Sequence, residues 1–160
     1  MGKEIERRFL LSKPPKNMKQ LPHLRIQQGY PAPHERVRKE VKGQKEKFWF
    51  TTKNGNGLVR QEDEDKISER KFYKIWGKTK GNRLRKIRYL LRHGPHTLEI
   101  DIFLRKLSGL KMVEVEFPSV KKAKKFKPPK WFGKEVTEDK RFTNRSLARN
   151  GLEELRHLRR

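Results

Sequence analysis

Six short stretches of this 160-residue chain carry a charged residue at every second position. Glu4, Glu6 and Arg8 alternate around Ile5; Arg36 and Arg38 flank Val37; Glu62 and Glu64 follow Arg60; Lys86 and Arg88 flank Ile87; Glu99 and Asp101 flank Ile100; Glu114 and Glu116 flank Val115. On a β-strand, residues two apart share a face. Each stretch therefore lines one side of a sheet with charge, and most set apolar residues on the other. The plainer account of one such strand is the wet face of a half-buried sheet. It does not explain the recurrence of carboxylate pairs, because like charges crowded on one face repel. Hard divalent cations explain it, since they prefer carboxylate oxygen. The cations on the matching faces, Arg8, Arg36, Arg38, Lys53, Arg60, Lys86 and Arg88, suit phosphate oxygens. Cations interleaved with acid pairs suit a metal–phosphate complex and its polarisation for in-line attack.

The elements that must position these residues follow from alternation and turn chemistry. Strands are predicted over 3–11, 24–30, 35–41, 47–53, 58–67, 82–92, 97–104 and 111–117. The first five read as sequential antiparallel hairpins, with a turn at Asn54-Gly55-Asn56-Gly57, where Asn and Gly accept positive φ. Short helices are predicted over 68–76 and 120–126, capped by Ser68 and Ser119, and over 144–150, ended by Gly151. Eight strands with little helical cover favour closure into a barrel, which removes the edges. The expected fold class is all-β dominated (α+β): an eight-stranded antiparallel closed tunnel barrel with a charged interior and a few short helices outside and at one mouth. The expected division is one domain over 1–151 and a basic tail over 152–160.

Composition bounds the partners. Lys and Arg number 43 against 19 Asp and Glu, a net charge of +24, and the apolar fraction is 32%. Such a field attracts polyanions without choosing among them, so non-specific polyanion binding is expected. There is no cysteine, which excludes disulfides, thiolate metal sites and cysteine nucleophiles. No apolar run approaches the ~20 residues of a membrane span, and the expected setting is cytoplasmic, with no membrane partner.

The ordered set of motifs resembles the CYTH superfamily, the triphosphate tunnel metalloenzymes. Glu4-Ile5-Glu6-Arg7-Arg8 resembles its ExExK opening, and the likeness continues through Gln28-Gly29-Tyr30, Arg36-Val37-Arg38, Thr52-Lys53, Arg60 to Glu64, Arg85 to Tyr89, Leu98 to Asp101, Val113 to Phe117 and Trp131 to Phe142. The resemblance implies hydrolysis of a triphosphate with Mg²⁺ or Mn²⁺. It implies metal-holding or acidic-wall roles for Glu4, Glu6, Glu62, Glu64, Glu99, Asp101, Glu114 and Glu116. It implies phosphate binding by Arg36, Arg38, Lys53, Arg60, Lys86 and Arg88, and catalytic roles for Arg8, Lys53 and Lys86. The helix over 144–150 corresponds to one that plugs a tunnel mouth. One departure stands out: the family has lysine where this chain has Arg8, and arginine does not release its proton at accessible pH.

The main expectation is cleavage of inorganic triphosphate to diphosphate and phosphate. Its rivals are a nucleoside or thiamine triphosphatase, a class IV type adenylate cyclase, and a non-catalytic binder of polyphosphate or nucleic acid. No inferred inward position supplies a base-stacking ring, which favours an inorganic substrate; Trp49, Trp76 and Trp131 read as packing residues. Gly77-Lys78-Thr79 is not a phosphate loop, because Phe72 stands where the pattern needs glycine. His93 and His96 bracket a plain turn.

Overall fold

The period-two charge pattern is realised as β-structure throughout. The computed structural model describes residues 2–55 and 57–152. Its strands are β1 (Gly2–Leu10), β2 (His23–Ala32), β3 (Glu35–Lys42), β4 (Lys45–Asn54), β5 (Val59–Lys66), β6 (Arg83–His93), β7 (His96–Phe103) and β8 (Lys111–Glu116). They close into an antiparallel barrel in the order β1-β5-β4-β3-β2-β6-β7-β8. Three helices accompany them: α1 (Glu69–Trp76), α2 (Val120–Lys125) and α3 (Asn144–Asn150). Ser68, Ser119 and Thr143 cap these helices, each accepting a hydrogen bond from the backbone N–H three residues on. Gly151 follows α3 at φ 68°, where a side chain would be strained. The basic tail expected over 152–160 lies, apart from Leu152, outside the described residues, as does Asn56 of the expected turn.

The hairpin reading holds from β2 to β5 but not at β1, and β6, β7 and β8 also pair in chain order. That strand pairs with β5 over Gly2–Ile5 and with β8 over Glu6–Leu10, not with β2. Residues 11–22, with Pro14, Pro15 and Pro22, are too long and too proline-broken for a tight turn. Strand β2 instead pairs with β3 on one side and β6 on the other. At Gly29 the β2 backbone runs against Thr79: an added Cβ would sit 2.7 Å from the Thr79 Cβ.

Register assigns the faces. Directly paired residues point the same way, and the pairs Glu4↔Arg60, Glu6↔Glu116, Arg8↔Glu114, Glu99↔Glu114, Arg88↔Asp101, Thr51↔Glu64 and Lys53↔Glu62 all face inward. The outer face carries oil. Phe9, Leu98, Ile100, Val113 and Val115 are buried under α2 residue Ala123 and under Phe126, Trp131 and Phe132. Val37 and Phe48 are buried under Phe72 of α1.

The interior is charged as expected, and at one end it turns apolar. Leu84, Phe103 and Met112 continue the inward parity of Lys86, Asp101 and Glu114, yet they are buried in an apolar cluster with Phe142 and with Leu147 and Ala148 of α3. One end of the barrel is therefore stoppered by an oily plug, and the charged cavity begins where that cluster stops.

Candidate active site

The charged faces enclose a cavity of about 660 Å³. Nine carboxylates and eight cationic side chains line it, so its walls are close to neutral although the chain carries +24. The surplus positive charge therefore lies mostly elsewhere than on this wall.

The acidic pole is built by β1 and β8. Glu4, Glu6 and Glu116 each offer an oxygen within 4.8 Å of the others. Glu6 is 4% exposed, and burial together with the neighbouring carboxylates of Glu114 and Glu4 pushes its carboxyl up to about 8. Glu62 is raised to about 7 by burial and by Glu4. Glu116 stands exposed at the rim, yet partial burial and the charges of Glu99, Glu4 and Glu114 raise it to about 7 as well. Carboxyls raised by burial and by one another mean that positive charge is locally short here, which a divalent cation would supply.

The cationic wall divides into two kinds. Arg88 is a structural hub. Its Nε and Nη2 donate to Asp101 at 2.8 and 3.0 Å, its Nη1 to Glu99 at 3.2 Å and its Nη2 to Glu114 at 3.3 Å. Burial alone would raise the Glu114 carboxyl, but Arg88, Lys86, Arg8 and Lys53 outweigh it and hold Glu114 well below the usual carboxylate range. Arg36 and Arg60 are the second kind. The Nε of Arg36 and the Nε and Nη2 of Arg60 are buried without a hydrogen-bond acceptor. Arg36 Nη2 reaches Thr51 at 3.3 Å and Glu64 at 3.4 Å, and Arg60 Nη2 stays 3.8 Å from Glu6. Lys53 lies between Glu4 at 3.3 Å and Glu62 at 4.0 Å; burial and the charge of Arg36 lower its pKa. Arg38 Nε donates to Gln28 at 2.9 Å.

Comparison with known proteins follows this geometry. No protein-family model matches the chain. An inorganic triphosphatase from Nitrosomonas europaea is 41% identical over 147 residues, covering 91% of this chain and 96% of that protein. The chain belongs to the triphosphate tunnel metalloenzyme family. A solved structure of the inorganic triphosphatase NE1496 aligns with a TM-score of 0.66 at 37% identity, covering 93% of this chain and 96% of that one. An inorganic triphosphatase from Acetivibrio thermocellus is 39% identical over 67 residues, 42% of each protein. The adenylyl cyclase-like HpAC1 from Hippeastrum, described as having a dominant triphosphatase activity, shares the fold at a TM-score of 0.56 and 12% identity, over 76% of this chain and 82% of that one.

Against the family's pattern, the barrel brings Glu4, Glu6, Glu62, Glu64, Glu99, Glu114, Glu116, Arg36, Arg38, Lys53, Arg60 and Arg88 to one cavity wall. Three other expected site residues stand behind it. Asp101 is fully buried and spends its two oxygens on Lys86 at 2.8 Å and on Arg88. Lys86, also fully buried, donates to Asp101 and to Asn144 Oδ1 at 2.9 Å; burial and Arg88 lower its pKa to about 8 against the pull of Asp101. Arg8, 1% exposed, donates to two backbone carbonyls instead of facing the cavity.

Sequence reasoning set the 144–150 helix at a tunnel mouth and Tyr30 in a motif, but named no residue of either as part of the site. Tyr30 lines the cavity, its hydroxyl accepting from Gln28 at 2.9 Å. Lys140, Thr143, Asn144, Arg145 and Ser146 form the wall beside the plug. Trp49 pairs with inward-facing Arg38, and its Nε1 donates to Glu40 at 3.0 Å, so it belongs to the polar face and not to the outer packing layer. Trp76, by contrast, stacks on Phe72 outside the barrel. Among the described residues no helix is long and apolar enough to cross a membrane.

Proposed function

We propose that this protein hydrolyses inorganic triphosphate to diphosphate and phosphate in the charged cavity, using Mg²⁺ or Mn²⁺. The observation that carries the reading is the pairing of opposites in one cavity: a carboxylate cluster short of positive charge, and the guanidiniums of Arg36, Arg38 and Arg60 on the same wall. Guanidinium forks match phosphate oxygens in pairs, so this wall suits a phosphate chain. The activity for which the 41%-identical relative is named supports the same substrate.

Glu4, Glu6 and Glu116 would hold the divalent cation, with Glu62 beside them. When bound, the cation supplies charge neutralisation at the phosphate oxygens. The chain's own side chains do the rest. Arg36 and Arg60 take the phosphate oxygens through the N–H groups they turn to the cavity, with Arg38 beside Arg36 on β3 and Arg88 on β6. Glu64 steers Arg36, while Glu99, Glu114 and Asp101 fix Arg88 in one rotamer. Water oxygen bonds to the terminal phosphorus, the bridging P–O bond breaks and diphosphate leaves with the electron pair. Lys53, whose proton is loosened by burial and Arg36, would give that proton to the departing diphosphate oxygen, and the attacking water's proton would return to it. The lack of cysteine fits a cytoplasmic setting, and the +24 charge fits loose polyanion binding on the outer surface.

The phenol of Tyr30 on the cavity wall supports an organic triphosphate as the second reading. Phosphate release from tripolyphosphate, ATP and thiamine triphosphate, each with Mg²⁺, Mn²⁺ or EDTA, decides. Metal-dependent release from tripolyphosphate at least about tenfold above the others is expected. A preference for either organic substrate would move the assignment to it, and no turnover with any would discard the hydrolase reading.

A further inference from the structure

The position that departs from the family's lysine has a local account. Arg8 points inward from β1, but its guanidinium passes behind the cavity wall. Nη1 donates to Phe142 O at 2.9 Å and Nη2 to Thr137 O at 3.2 Å, while Nε is buried without an acceptor, 4.0 Å from Glu6 Oε1. The Arg8 backbone joins in: its N–H donates to Thr137 Oγ1 at 3.0 Å, and its carbonyl accepts from Val136 N at 2.8 Å. One residue thus binds both ends of the 137–142 segment. Two residues beyond Phe142 comes Asn144, the first residue of α3, which lines the cavity and accepts from Lys86 Nζ at 2.9 Å. Phe142, Leu147 and Ala148 then seat the plug in the apolar end of the barrel.

We propose that Arg8 is a positioning residue that clamps the Thr137–Phe142 segment and, through it, sets Asn144 and the α3 end wall of the cavity, without touching phosphate. A fork is needed for this work. Guanidinium presents several donors in a fixed plane and reaches two carbonyls at once, whereas an ammonium is a single centre on a shorter stem. Lysine at position 8 would leave at least one of two buried carbonyls unpaired. An end wall that yields loses the alignment of a phosphate chain with its attacking water more than it loses ground-state binding.

The kinetic part of this inference rests on the triphosphatase reading; the structural part does not. The test compares the full chain with Arg8→Lys, Asn144→Ala and the double variant. Backbone amide exchange is read at Leu147 and Gly151, whose N–H groups close α3 onto Thr143 O and Leu147 O. Metal-dependent phosphate release from tripolyphosphate is read in parallel. For Arg8→Lys, exchange at those amides is expected to speed at least about tenfold, with the β6–β7 ladder unchanged. The kcat is expected to fall about tenfold with KM within about twofold. In the Asn144→Ala background the same substitution should change kcat less than about twofold, because the two act through one wall. Unchanged exchange in α3 overturns the clamp, and so does a rate equal to or above the parent, which would make position 8 a phosphate-facing cation after all. Equal losses in both backgrounds overturn the route through Asn144. If the parent itself releases no phosphate, the hydrolase reading fails and the exchange measurement alone decides the clamp.

Discussion

Arg88→Met removes the charge that three acidic side chains share while keeping much of the side-chain length. In the parent, Asp101 receives two hydrogen bonds from Arg88, and Glu99 and Glu114 one each. Asp101 keeps Lys86, but Glu114, 6% exposed, loses its strongest counter-charge. Breaking a buried ion pair by removing one partner costs about 3–5 kcal/mol. With an unfolding entropy of about 2.1 cal/mol/K per residue, a domain of this size loses about 3 °C in Tm per kcal/mol, so the expected drop is about 9–15 °C. The loss depends on pH. Glu114 in the parent is held below its ordinary 4.5, so it contributes stability above that pH and loses it as pH falls through the native value. Without Arg88 this contribution is gone at pH 7.5, while near pH 4.5 the orphaned carboxyl takes a proton and the deficit shrinks. Thermal unfolding of both proteins at pH 7.5 and 4.5, in EDTA, reads the difference. A drop under about 3 °C, or an equal drop at both pH values, would refute the reasoning that Arg88 holds this wall together.

Two further outcomes are expected. Glu6→Gln should lower metal-dependent phosphate release at least about a hundredfold, yet leave the metal-free protein as stable or more stable at pH 9. The Glu6 carboxyl is raised to about 8, so its stabilising protonation is complete below 4.5 and lost as pH rises through about 8, a loss glutamine does not suffer; melting in EDTA from pH 6 to 9 checks it, and a variant losing stability only at high pH contradicts it. Gly29→Ala should destabilise by about 1–3 kcal/mol in urea, because its Cβ would lie 2.7 Å from Thr79 Cβ on a packed neighbour; an unchanged midpoint would show that the β2–Thr79 contact yields freely.

Much of this architecture is legible in parity. Glu4, Glu6 and Arg8, or Lys86 and Arg88, declare a strand and its charged face by their spacing alone, and Ser68, Ser119 and Gly151 mark helix ends by their chemistry. Parity also carries a signal that composition obscured. Leu10, Leu84, Phe103 and Met112 lie two residues beyond Arg8, Lys86, Asp101 and Glu114 on the same face, which marks where the interior turns apolar. What parity does not carry is depth along the axis or a partner distant in sequence. Arg8 and Lys86 belong to the inward set, but their reach to Phe142 O and Asn144 depends on a segment more than 50 residues downstream. The pairing of β1 with β5 and β8, and of β2 with β6, is likewise set by closure of the whole sheet and leaves no local trace.

That closure bears on how the chain reaches its native state. The two halves of β1 are held by β5 and β8, so β1 waits for the strand farthest from it in the barrel's chain order before it has neighbours along its whole length. Joining residues over a hundred positions apart raises the contact order and slows folding relative to a string of local hairpins. A nascent chain stopped short of Lys111 would leave half of β1 as a bare edge bearing Phe9 and Leu10, a template for pairing with another copy. Interrupted translation products of this protein are therefore expected to aggregate where the full-length chain does not.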